Sequence, residues 1–169
     1  MAILVDKSLL KTACLKNAKK LLRESKRLLN QKKYAWSTFL AITSFEESQK
    51  LGLLSMYEGN FISESEFRKY WHSHEYKIRS KGARLRFTFN INKKKPEIVL
   101  GSKEEAQEVI RIRGDCLYVD FNDISISEPL SINIAVAVQY INEANMELNS
   151  AISLELLEKK LKRAFKVKQ

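Results

Sequence analysis

Between Tyr34 and Tyr57 three charged residues interrupt a run of apolar and small side chains: Glu46, Glu47 and Lys50. Charges in such a setting cost free energy unless they are paired or used. Glu46 and Lys50 stand one helical turn apart and can pair, and Glu47 and Lys50 are neighbours at i,i+3. Two chemistries fit. One is a buried ion pair that fixes helix packing; the other is a carboxylate that orients a catalytic group across a helical bundle. His74 is the group it would orient. An imidazole facing a buried carboxylate is held in one tautomer, which suits acid–base work. The competing reading is a histidine satisfied inside the core. Lys77 borders the same helical arc and could contact an anion.

Other catalytic patterns are absent from the sequence. It has no glycine-rich phosphate loop, no nucleophile elbow and no His-Glu-x-x-His zinc motif. Glu46, Glu47, His74 and Asp120 offer no metal-ligand spacing. No metal and no cofactor are expected. Cys14 and Cys116 are too few and too far apart for a zinc site or a disulfide framework, and read as small buried residues in a reducing cytosol.

The elements that must position these groups are helices. Residues 7–30 form an amphipathic helix with Leu10, Cys14, Ala18, Leu21, Leu22, Leu28 and Leu29 on one arc. Lys16, Lys20, Arg23 and Arg27 form a stripe opposite. Residues 33–57 form a helix that is apolar on most sides and therefore central. Its strip of Ser37, Ala41, Ser44, Ser48 and Ser55 admits a close neighbour, within the chain or across a dimer. Ser63 with Glu66 predicts a capping box opening a third helix over 64–81, with Phe67, Tyr70, Trp71, His74 and Ile78 on its apolar arc.

Alternation of Leu85, Phe87, Phe89 and Ile91 with polar residues, then Lys93–Lys95 and Pro96, predicts either a small β-hairpin or an irregular insertion near 84–100. Ser102 with Glu105 opens a helix at 103–113. Residues 117–121 are extended, and a polar loop leads to Pro129. An apolar helix is expected over 130–149 and a basic amphipathic one over 153–166. The class is an all-α bundle with one irregular excursion, and 1–169 reads as a single domain.

The 169 residues include five Gly and two Pro, which favours long helices over a β-sandwich. The net charge of +10 is unevenly placed. Residues 7–33 hold ten Lys or Arg against Glu24, and 158–169 hold six against Glu158. The middle is slightly acidic. Basic ends favour an anionic partner such as RNA; a solvated helix face with a basic tail is the plainer reading. With neither a signal pattern nor a long apolar window, a cytoplasmic protein off the membrane is expected.

Asn17-Ala18 to Leu29, Tyr34-Ala35, and Leu40-Ala41-Ile42 leading to Glu46-Glu47-x-x-Lys50 together resemble the HEPN superfamily of helical bundles. Phe67-x-x-x-Trp71-x-x-His74-x-x-Lys77 and Leu117-Tyr118-Val119-Asp120-Phe121 ahead of Pro129 are similar to the AbiV family of abortive-infection proteins, which act against phage. The likeness covers roughly residues 10–150. It implies a homodimer with its site near the dimer interface. It also implies a metal-independent endoribonuclease toxin that blocks translation, with RNA as substrate and a phage-encoded protein as activator. The family's Arg, four to six residues, His motif falls on Arg68 and His74, with Arg68 or Lys77 on the scissile phosphate and Glu46, Glu47 and Lys50 holding the site together. On a straight helix Arg68 would lie about 120° from His74. The pair then converges only if the helix bends or ends, or if another arginine such as Arg79 serves. A non-catalytic module that binds a phage or host protein is the alternative reading.

Overall fold

The computed structural model describes residues 6–81, 84–86, 97–117, 120–121, 126–127 and 132–166. Among these, six helices form the bundle: α1 (Lys7–Asn30), α2 (Tyr34–Glu58), α3 (Glu64–His72), α4 (His74–Arg79), α5 (Lys103–Asp115) and α6 (Ile134–Lys166). Two short antiparallel pairings accompany them, β1 (Arg84–Arg86) with β2 (Glu97–Val99), and β3 (Asp120–Phe121) with β4 (Ile126–Ser127). In the first, Leu85 faces Ile98 in register, so the excursion near 84–100 has the frame of a hairpin. The expected turn at Lys93–Pro96 and the loop through Pro129 lie outside the described residues.

The strip of small residues on α2 is what lets α1 approach. Ser25 Oγ donates to the Ser37 carbonyl at 2.7 Å, and Ser37 Oγ donates to the Ser25 carbonyl at 2.9 Å. Ser44 Oγ donates to the Ala18 carbonyl at 2.8 Å. These hydroxyls satisfy themselves on the facing backbone, so a polar strip can be buried without orphaned groups. Ser37, Ala41 and Ser44 have no exposed surface at all. The strip is consumed within the chain.

α6 covers another side of α2 and runs parallel to it. Tyr140 stands beside Ile42 and Phe45, Gln49 Nε2 donates to Glu147 at 2.9 Å, and Ala151 and Glu155 stand beside Gly52 and Ser55. Ala18, Leu22, Ile42, Phe45, Ala144 and Leu148 join the three helices in one core. Each large member contributes about 1.5–3 kcal/mol on burial.

Two expected boundaries are corrected. The helix predicted over 64–81 breaks at Ser73, whose backbone is extended (φ −81°, ψ 116°). Ser73 ends α3 and caps α4 at once, its Oγ accepting from Tyr76 N at 3.1 Å. The two helices predicted over 130–149 and 153–166 are one, Ile134–Lys166. No Gly or Pro interrupts the joint, Ser150 Oγ folds back onto the Met146 carbonyl, and Asn133 rather than residue 130 caps the start. Among the described residues no helix is long and apolar enough to cross a membrane.

The capping box predicted for α3 is present in full between Ser63 and Glu66. Ser102 caps α5 by accepting from Glu105 N, while its own hydroxyl donates to Glu104. α3, α4 and α5 all rest against α2.

Candidate functional site

Glu46 is the centre of the site. It leaves the middle of α2, where Phe45 and Ile42 are buried beside it, and is itself 2 % exposed. A carboxylate in so dry a place needs partners on both oxygens. The break at Ser73 supplies the first, because it starts α4 with His74 turned toward α2. His74 Nδ1 lies 2.5 Å from Glu46 Oε2. Lys77, one turn further, brings Nζ to 3.4 Å from the same oxygen. Arg113, from the last turn of α5, donates from Nη1 to Glu46 Oε1 at 2.8 Å.

Arg113 Nη1 also lies 2.8 Å from His74 Nδ1. One ring nitrogen cannot both donate to Glu46 and accept from Arg113. A carboxylate clasped by Lys77 and Arg113 is an acceptor, so Nδ1 carries the proton and gives it to Oε2. Arg113 then directs its proton to Oε1. In the neutral form of the ring, Nε2 is then the nitrogen that bears the lone pair. His74 is 47 % exposed in its side chain, whereas Lys77 and Glu46 are 5 % and 3 %. The imidazole is the most exposed member of the cluster.

Burial pushes the Lys77 ammonium below its usual value, and Glu46 works against that shift. Lys77 is therefore walled against Glu46, and contact with a phosphate would require the site to open. Glu47 and Lys50 form their own pair at 2.5 Å, with Lys50 Nζ 5.1 Å from the Trp71 ring centre. They flank the site on α2 without entering the Glu46 contacts. Burial, reinforced by Glu47, pushes the neighbouring Cys14 thiol up to about 11, so it stays a thiol.

Arg68 points elsewhere. It binds Glu64 at 2.7 Å on the outer face of α3, with its side chain 55 % exposed. Arg79 binds Glu75 and the Gly101 carbonyl. The arginine at the histidine is Arg113, which the sequence reading did not single out. A signal for it exists. Its helical neighbours at three and four positions are Val109, Ile110, Cys116 and Leu117, so no carboxylate in its own helix can pair with it. Arg111, two residues earlier, binds both Glu108 and Asp115.

Lys16, Lys20, Arg23 and Arg27 are all exposed on the outer face of α1, where Glu24 pairs with Arg27 at 2.7 Å and approaches Arg23 at 3.9 Å. Of the basic residues expected at 159–168, Lys160 is the one whose side chain is described, and it is exposed. Among the described residues no group of three or more His, Cys, Asp or Glu converges as a metal site would require.

A family model described as AbiV, of HEPN type, matches residues 9–149. That span holds α1 to α5, the Glu46 cluster and the first half of α6. No curated protein and no solved structure matches the chain.

Proposed function

Because the chain belongs to the AbiV family of HEPN abortive-infection proteins, we propose that it is an endoribonuclease toxin of phage defence that uses His74 as its acid–base group. The observation carrying this reading is the half-exposed imidazole whose Nδ1 is fixed on a buried carboxylate. In the proposed step, Nε2 removes the proton from a ribose 2′-hydroxyl as its oxygen attacks the adjacent phosphorus. The imidazolium so formed is stabilised by Glu46 and returns its proton to the leaving 5′-oxygen. Arg113, 23 % exposed, turns its remaining N–H groups to the extra negative charge on phosphorus. Lys77 keeps Glu46 compensated from the buried side. The exposed cations of α1 hold RNA backbone, so binding weakens as salt rises. The toxin would act on cytoplasmic RNA as a homodimer, under control of a phage-encoded protein.

The test is cleavage of single-stranded RNA by wild type and by His74→Ala, with thermal melts of both. The expected result is a loss of about 10²- to 10⁴-fold in rate with little change in melting temperature. Cleavage persisting in His74→Ala removes the mechanism. If wild type binds a protein partner but cuts no RNA, and His74→Ala fails to fold, the domain is a non-catalytic binding module.

A further inference from the structure

α4 is held on the core by Tyr76 and Ile78, which are buried in two separate apolar clusters. Apolar burial is non-directional, so it keeps α4 down without fixing how far the helix slides or turns. Hydrogen bonds fix that, because they prefer a length and an angle. On one side they come from Glu46, through His74 and Lys77. The far end of α4 carries a second set.

Gln49 stands three residues after Glu46 on α2, and Ser80 stands three after Lys77, as the C-cap of α4. Three residues of helix advance about 4.5 Å, so Gln49–Ser80 repeats the Glu46–Lys77 contact nearly one turn along. Ser80 Oγ donates to Gln49 Oε1 at 3.0 Å and shares its proton with the Lys77 carbonyl at 2.7 Å. Gln49 is 8 % exposed, and its Nε2 donates to Glu147 of α6 at 2.9 Å. That carboxylate decides which way the amide faces. As an acceptor it takes the N–H, which leaves the amide oxygen toward Ser80. Glu147, which touches neither His74 nor Glu46, thereby reaches α4 through two hydrogen bonds. The other ties at this end are Lys81 on Glu143 and Arg79 on the Gly101 carbonyl. Both are exposed to solvent, where such contacts hold little.

We infer that Gln49 is a positioning residue of the site: oriented by Glu147, it fixes the register of α4 on α2 through Ser80, and with it the seat of His74 on Glu46. The consequence for RNA cleavage rests on the ribonuclease reading; the consequence for the imidazole does not.

The experiment follows the His74 Nδ1 proton in the full chain by NMR, assigned by its absence in His74→Ala. Gln49→Met keeps the length of the side chain and removes both hydrogen bonds. Ser80→Ala removes one of them, and Ser80→Thr retains the hydroxyl. Gln49→Met and Ser80→Ala should speed exchange of that proton with water about five- to tenfold, and Ser80→Thr should stay within about twofold of wild type. Ser25→Ala is the stability control, since it removes a buried hydrogen bond between α1 and α2. It should lower the melting temperature and leave the His74 proton as it was. Unchanged exchange in Gln49→Met and Ser80→Ala overturns the assignment. Equal acceleration in Ser25→Ala also does, because Gln49 would then contribute stability alone. A wild-type proton too fast to observe does so too, since His74 would have no fixed seat. If Gln49→Met does not fold, Ser80→Ala against Ser80→Thr carries the test.

In single-turnover cleavage of RNA, Gln49→Met and Ser80→Ala should slow the step about tenfold while RNA affinity holds. Accelerated proton exchange in a protein that cuts no RNA keeps the role of Gln49 and removes the ribonuclease reading. His74-dependent cleavage that both variants leave at the wild-type rate does the reverse.

Discussion

Glu46 serves three donors with two oxygens, and removing its charge should register in stability before anything else. Glu46→Gln keeps the shape but leaves Lys77 buried without its counter-charge. The expected cost is about 3–5 kcal/mol, read by urea unfolding. A loss below 1 kcal/mol would mean that the cluster is far wetter than its burial indicates. For Arg113 the informative change is Arg113→Lys, which retains charge but loses the planar fork. Single-turnover cleavage should fall at least tenfold further than in Arg68→Ala, because Arg68 spends its charge on Glu64 at the surface. Equal effects would return the phosphate role to Arg68. The carboxylate and the histidine were legible in the sequence because ionisable groups stand out against an apolar helix. Arg113 was less so, since a basic residue in a charge-rich helix looks solvated until α5 is known to face α2.

α4 is a helix of six residues, too short to be stable alone. Its start depends on the Ser73 cap, so Ser73→Ala should cost about 1 kcal/mol. The same change frees His74 from its orientation, so cleavage should fall more steeply than melting temperature does. Parallel losses in both would make Ser73 a stability residue only. The long helices α1 and α2 were readable from periodicity, and the small strip of α2 announced a close neighbour. Which neighbour was not readable, because α1 and a second copy are equivalent to a row of serines. The hydrogen bonds between Ser25 and Ser37 decide it. The break at Ser73 was hidden for a related reason. Helical periodicity runs straight through it, and a serine that caps looks the same in the sequence as one inside a helix.

At the scale of the whole molecule, α6 places Glu147 half-buried against α2, hydrogen-bonded to Gln49. Burial raises its carboxyl pKa, with Gln49 and Lys81 pulling it down. A raised folded-state pKa adds stability that is complete below the ordinary carboxylate value and is lost as pH rises through the raised one. Glu147→Gln should therefore melt higher than wild type at pH 7, by roughly 2 °C, and the gap should close toward pH 4. A gap that widens on acidification would contradict the sign. That the chain is an all-helical bundle was evident from its few glycines and prolines and its periodic runs. That α2 and α6 run parallel was not, because direction is set by packing between residues about 100 positions apart. Parallel helices have a temporal consequence on the ribosome. α1 and α2 can form their hairpin early, but α6 is made last, and at roughly 5–20 residues per second its 33 residues take about 2–7 s. Until then Ile42 and Phe45 lack their cover and Tyr140 has not been added. A nascent chain thus carries Glu46 and His74 well before the bundle that surrounds them is complete.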